Sequence, residues 1–330
     1  LIILAVLVAA TGAFIYFVER HEPTTEERLE RADRVFPELD ADEITTVELE
    51  TERGPVRLAR TGDDWRLVAP LDYPADAASV RSLVQAVASL DSERSLSLDE
   101  VEASDYGLDE PALGVVLESS EGERFELAVG AETPLGSNRA VLRQGDDEIL
   151  ICSGAFVANL DKEVDGWRSR DVVDLVEADL SAVEIETAVD RIRAVRSDER
   201  WQLTEPLADL ADAEQMRSLV SELNALRINE FLPADAEPAG LGLEAPEYRV
   251  VLERADGSPP LTLELAEPVE EGGPIVIRRD GDDLFRVNDG IRTRLGKAPV
   301  LWRSAEVWPF SSWDAGKLEF IAGDDEVVLD

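Results

Sequence analysis

Apolar residues along this chain alternate with polar ones in short runs. Ile44, Val47 and Leu49 form the first run, Val56 and Leu58 the second, and Trp65 and Leu67 the third, with Arg53-Gly54 between the first two. Period-two spacing of this kind predicts strands, and the turn between them predicts an antiparallel meander. Pro70 and Pro74 stop the pattern, because proline cannot donate to a ladder. Asp76 then stands at an N-cap position, and Val80, Leu83, Val84, Val87 and Leu90 recur at helical spacing. They predict an amphipathic helix laid on the sheet. An acidic linker and a Gly-Leu-acidic-X-Pro turn follow, then strands around 115–117, 125–129, 139–142 and 148–151, with Gly122, Gly136 and Gly145 at turn positions. A short helix near 155–160 precedes Trp167-Arg168.

The same pattern then returns about 135 residues later, a period that signals a duplicated fold-sized unit. WRLVAP at Trp65 returns as WQLTEP at Trp201, and ADAASVRSLVQAV at Ala75 as ADAEQMRSLVSEL at Ala211. Asp212 takes the cap position, and Met216, Leu219, Val220, Leu223 and Leu226 form the stripe. YGLDEP at Tyr106 is answered by LGLEAP at Leu241, and GWRSRDVVDL at Gly166 by LWRSAEVWPF at Leu301. Further strands are expected around 250–252, 261–265, 275–277 and 284–287, then a helix at 291–295. A third copy contributes only its first hairpin, at 318–320 and 327–329. The expected class is α+β: tandem repeats, each an antiparallel meander with a packed helix and further antiparallel strands. The expected boundaries are 1–18 for an apolar anchor, 19–42 for a juxtamembrane segment, 43–176 and 177–310 for the repeats, and 311–330 for the truncated third.

Leu1 to Val18 carries no charge. At about 1.5 Å per helical residue, 18 residues nearly cover a hydrocarbon layer of roughly 30 Å. The run reads as an N-terminal transmembrane helix. A cleaved signal peptide is the alternative, since Ala9, Ala10, Gly12 and Ala13 are small enough for a peptidase site. Thr24 and Glu27 resemble a capping box, which predicts a short helix over 25–34 ended by Phe36-Pro37. The mixed flank and the acidic body after it agree with a single-pass protein of the cytoplasmic membrane, its bulk extracytoplasmic.

Charge narrows the partners. Seventy-two acidic residues against 32 basic ones leave a formal net charge of -40, which repels nucleic acid and anionic lipid headgroups. The acidity reads as a solvated surface, with a cation-bearing partner as the sharper alternative. Three lysines, Lys162, Lys297 and Lys317, are all the chain contains.

Catalytic chemistry finds little footing. His21 is the only histidine and lies beside the apolar run, so the body has no imidazole for a triad or a general base. Cys152 stands alone at a strand end and reads as a buried structural thiol. Asp161, Glu163, Asp165 and Gly166 are spaced like a calcium loop, yet Val172 occupies the position of the bidentate Glu and the second copy lacks all three acids. Asp280, Asp282 and Asp283 read as a hairpin turn. Trp65 and Trp201 fall in phase with Leu67 and Leu203, which makes them core anchors ahead of a ligand groove, and Arg168 and Arg303 read as structural ion pairs or cation stacks. No catalytic, cofactor-binding or metal residue is assigned, and no cofactor is expected.

The FPELDADEI entry, the W-x-L-x-x-P strand, the AD-x-x-x-V helix start and the YGLD-x-P turn resemble the bacterial domain of unknown function 4340. The resemblance runs over about 43–175 and again over 179–310, with Leu241 and Glu244 departing from the Tyr and Asp of the turn. It implies a single-span envelope protein associated with gliding-type ABC-2 transporters. The expected role is therefore non-enzymatic: an extracytoplasmic accessory or scaffold with ABC transporter or other envelope partners. A cation-binding structural or adhesive protein and a carboxylate-dependent envelope hydrolase are the alternatives.

Overall fold

Each alternating run of the sequence becomes a strand in one of two large antiparallel sheets. A computed structural model describes residues 33–133, 137–197, 200–233, 235–306, 318–322 and 325–329. The chain divides between Ser169 and Arg170 into two compact units.

In unit 1, β1 (Ile44–Thr51), β2 (Gly54–Thr61) and β3 (Asp64–Ala69) form the meander, and β4 (Tyr73–Pro74) extends its edge. Helix α1 (Ala77–Ala88) follows, then β5 (Ser92–Ser97), β6 (Leu113–Ser119), β7 (Arg124–Glu132), β8 (Asn138–Arg143), β9 (Glu148–Ser153) and the one-turn α2 (Val157–Leu160). The nine strands lie in the order β4-β3-β2-β1-β6-β7-β8-β9-β5.

Unit 2 contains β10 (Leu180–Glu186), β11 (Arg191–Ser197), β12 (Arg200–Glu205), β13 (Asp209–Leu210), α3 (Ala213–Ala225) and β14 (Glu230–Phe231). After them come β15 (Tyr248–Arg254), β16 (Leu261–Leu265), β17 (Ile275–Arg279), β18 (Asp283–Val287) and α4 (Arg292–Leu295). Their order, β13-β12-β11-β10-β15-β16-β17-β18-β14, repeats that of unit 1 strand for strand. A separate hairpin joins β19 (Leu318–Ala322) and β20 (Asp325–Leu329).

The helices work as predicted. Asp76 caps α1 by accepting from the Ser79 N–H at 2.5 Å, and Asp212 caps α3 by accepting from Glu214 and Gln215 at 2.9 and 3.0 Å. A 12-residue helix is marginal alone. Burial of Val80, Leu83, Val84 and Val87 against Val47, Leu58, Leu67 and Trp167 contributes roughly 1.5–3 kcal/mol per large side chain and holds α1 in place.

The α+β expectation is corrected by the sheets themselves. Among the described residues the fold is mostly antiparallel β, two nine-stranded sheets with few helices, of which only α1 and α3 exceed four residues. The stretch after α1, expected as an acidic linker, is β5, which pairs with β9 through Ser95 and Leu150. Its pattern was invisible because this edge strand has Leu96 as its one apolar residue, and an edge needs no buried face. The short pairings of β4, β13 and β14 were missed for a similar reason: two residues carry no period. Among the described residues no helix is long and apolar enough to cross a membrane. The run expected to do so, Leu1–Val18, and most of the helix expected at 25–34 lie outside the described residues.

Candidate functional site

The repeated motifs converge on a clasp at the start of each helix. In unit 1 the Asp76 N–H donates to the Trp167 carbonyl at 2.8 Å, and the Ser169 N–H to that of Pro74 at 2.8 Å. In unit 2 Asp212 donates to Trp302 at 2.9 Å and Ser304 to Leu210 at 2.8 Å. Trp167 and Trp302 are fully buried beneath these contacts. Lys162 Nζ sits 4.8 Å from the Trp167 ring centroid and donates to Ser79 Oγ at 3.1 Å, while Lys297 Nζ donates to Gln215 Oε1 at 2.7 Å. Two of the chain's three lysines therefore tie the W-R-S segment to the first turn of the neighbouring helix. Arg168 bonds Asp165 at 3.1 Å and stacks 4.1 Å from the Tyr73 ring, and Arg303 holds Asp209 through two nitrogens at 2.6 and 2.5 Å. In each unit the clasp closes the W-R-S segment onto the sheet, which is a packing role.

The Gly-Leu turn is equally structural. Gly107 and Gly242 end short 3-10 turns with φ of +65° and +79°, a left-handed conformation that glycine adopts without penalty. Gly130 on β7 leaves room for the turn, since a Cβ there would lie 2.2 Å from the Tyr106 carbonyl oxygen.

Other residues singled out in the sequence also have structural partners. Trp201 is buried and donates Nε1–H to Glu177 at 3.0 Å, and Trp65 packs half-buried on the core. Cys152 is buried in β9, and desolvation, reinforced by Glu93 and Asp91, pushes its thiol up to about 12. Such a thiol stays protonated at neutral pH, which disfavours nucleophilic use. Of the calcium-like loop, Asp161 and Glu163 are both bound by Arg53, and Asp165 by Arg168. Asp280, at φ +52°, turns the β17–β18 hairpin, and Asp283 pairs with Arg279 at 2.7 Å. Among the described residues no group of three or more His, Cys, Asp or Glu could hold a metal ion. His21 lies outside the described residues.

Two clefts remain. One, of about 820 Å³, lies in unit 1 beside β5 and β9, with Glu93, Asp99, Glu100, Glu102, Asp105 and Glu132 around a floor that includes Val101 and Ile151. The other, of about 840 Å³, lies in unit 2 over β15, β16 and β17 and is lined by Arg249, Arg254 and Arg278 together with Glu264, Asp280 and the Pro259-Pro260 pair. Sequence reasoning overlooked this second cleft. The available signal was a change of residue type between repeats, because in register Gly114, Ala128 and Leu142 of unit 1 correspond to Arg249, Glu264 and Arg278 of unit 2.

A protein of two antiparallel nine-stranded sheets with one strand order is the class that this geometry defines. The chain belongs to the family of the domain of unknown function DUF4340, whose profile matches residues 65–246, more than half of its length. No curated protein matches the chain.

Proposed function

We propose that this is a non-enzymatic accessory or scaffold protein of the bacterial envelope, working outside the cytoplasm beside an ABC-2 export or gliding-type transporter. The observation that supports it is the repetition of one nine-strand order in two units, since duplication multiplies surface while a reaction needs one assembled site. The transporter link itself leans on the resemblance to domain 4340 proteins. In the same reading the chain carries two copies of the family's unit, and β19–β20, whose first strand matches β1 and β10 in position within the repeat, opens a third. The acidic surface suits a soluble exported body and disfavours nucleic acid.

The test is crosslinking of the full-length protein in cells, followed by identification of its neighbours. Recovery of a polytopic permease and its ATPase is expected. Recovery of the protein alone, at every crosslinker length, would remove the accessory role.

A further inference from the structure

We propose that a smaller cleft at the end of the unit 2 sheet, between the β10–β11 turn and the segment after α4, is a docking surface for an amphipathic helix of a partner protein, with an aliphatic stripe and basic flanks. The cleft has a volume of about 430 Å³ and is lined by Val189, Ala245, Pro246, Tyr248, Leu295 and Ala298 among others. Val189, in the turn, is 88% exposed. Val300 and Leu301 are 61% and 55% exposed and stand on the 3-10 turn Pro299–Trp302, where the Leu301 N–H donates to the Ala298 carbonyl at 2.9 Å. Three of the seven exposed large apolar side chains among the described residues thus belong to two segments that meet in one cleft. Scattered singly, such side chains need no explanation; gathered in one place they mark an interaction site.

Unit 1 shows the same position closed. Counted from the matching hairpins and tryptophans, Val189 takes the place of Arg53, and Gly296, Ala298 and Val300 take those of Asp161, Glu163 and Asp165. In unit 1 Arg53 binds Asp161 at 2.8 Å and also Glu163, while Asp165 binds Arg168 at 3.1 Å. One backbone arrangement is therefore tied by ion pairs in the first unit and leaves aliphatic carbon in water in the second. That carbon adds nothing to the fold while exposed and becomes favourable only when a partner covers it.

Charge and shape select the partner. Asp190 and Glu267 also line the cleft and form no ion pair among the described residues. Glu247 is already held by Arg292 through both oxygens at 2.7 Å, and Lys297 donates to Gln215 at 2.7 Å. The free charge at the rim is negative, which calls for basic flanks on the partner. A second copy of this chain, at formal charge -40, meets self-repulsion instead. The β10–β11 turn bonds to itself, Thr187 N–H to the Asp190 carbonyl at 2.9 Å, so the cleft offers side chains and no ladder for an added strand. A helix with aliphatic residues three and four positions apart supplies the matching surface. The inference rests on unit 2 alone and holds whichever system recruits the protein.

Fluorescence anisotropy of a labelled four-turn helical peptide, with leucine at helical spacing and lysine on its flanks, tests it at fixed physiological salt. The same peptide with glutamine for leucine controls for charge alone. The full chain is expected to bind the leucine peptide at least about tenfold more tightly than the glutamine one. V189R/A298E leaves the net charge unchanged, installs the residues of the Arg53–Glu163 pair, and should weaken binding of the leucine peptide at least about tenfold. In the unsubstituted protein the methyl resonances of Val189, Val300 and Leu301 should shift on titration while those of exposed Val68 and Val176 stay in place, a readout independent of how the variant folds. Equal affinity for the two peptides, unchanged binding by V189R/A298E, or shifts that spare Val189 would each overturn the proposal. Self-association, or partition onto phosphatidylcholine vesicles, that V189R/A298E abolishes would overturn it in favour of a second copy or a lipid surface.

Discussion

Units 1 and 2 lay nine strands in the same order, and they differ most on the sheet face turned away from the helix. One row across unit 1 reads Pro55, Glu50, Gly114, Ala128, Leu142, and the equivalent row of unit 2 reads Arg191, Glu186, Arg249, Glu264, Arg278. A row with one charge, Glu50, and a row of alternating charge occupy one topology. The helix-facing side shows no such divergence, with Val47, Leu58 and Leu67 matched by Val183, Ala194 and Leu203. The helix-facing core and the clasp are common to both units, whereas the other face carries a second, smaller cluster, built on Ala140, Ile149 and Ile151 in unit 1 and on Val276 and Leu284 in unit 2, and changes its chemistry beside it.

The largest expected effects test the shared side. W167A and W302A each remove a fully buried indole and should cost about 3–5 kcal/mol apiece. Hydrogen exchange followed by mass spectrometry, on peptides from 33–169 and from 170–306 separately, checks this. A cost below about 1 kcal/mol for either would mean that the matching strand orders enclose unlike cores.

The next effect tests the divergent side. R278L gives unit 2 the residue of unit 1 but strips Glu264, only 19% exposed, of its partner, at a cost of about 1–3 kcal/mol. Adding E264A completes the exchange to the Leu142–Ala128 pair and should recover all but about 0.5 kcal/mol. Denaturant melts of both variants close the cycle. If the double variant is no better than R278L, the two faces are not interchangeable and the charged row has become part of what holds unit 2 together.

A smaller contrast concerns Glu48 and Glu184, which take equivalent places opposite Arg57 and Arg193. Glu184 is 10% exposed, binds Arg191 and Arg193 at 2.8 and 2.9 Å, and shares Arg193 with Glu253; Glu48 is 37% exposed and meets Arg57 at 3.3 Å. Burial disfavours charge on Glu184, but hydrogen bonds from the two arginines outweigh it and hold its carboxyl below the usual range. A depressed folded value means that the stabilisation is present above the unfolded value of about 4.3 and is lost as pH falls through the folded one. E184Q should cost about 1–2 kcal/mol at pH 7 and flatten the acid limb of the unit 2 stability curve, and E48Q should cost about 0–1 kcal/mol at pH 7. Equal costs for the two would show that the added arginine and the burial contribute nothing.

Much of this comparison was legible in the sequence, and the part that was not has a physical cause. Alternation found strands such as β1 and β6 because each buries one face, and apolar runs marked strands such as β9, buried on both. Helical spacing found α1 and α3, and the aspartates marked their caps. Polar edges such as β5 left no trace, so the sheets were undercounted and the helices given too much weight. Repeats were read for what they share, which led to the clasp. The cleft over β15–β17 lies where they disagree, at Gly114 against Arg249 and Leu142 against Arg278, and a search for likeness passes over such positions.

The caps provide the finest test of how far the likeness extends. Asp76 receives one N–H and Asp212 two, but in both units the cap residue's own N–H is fixed independently by a tryptophan carbonyl. Replacement by alanine therefore removes only the side-chain bonds and leaves the backbone entry to the helix held. D76A and D212A should each cost about 1 kcal/mol, with D212A the dearer by a few tenths, and asparagine should restore most of the loss in either. Paired thermal melts with exchange on α1 and α3 peptides measure both. Equal rescue by asparagine would show that the two aspartates do the same work. A loss in either variant beyond about 2 kcal/mol, or one that asparagine fails to restore, would mean that the carboxylate's charge acts beyond the cap, with Lys162 in unit 1 or Lys297 in unit 2 as the nearby cation on which to look for it.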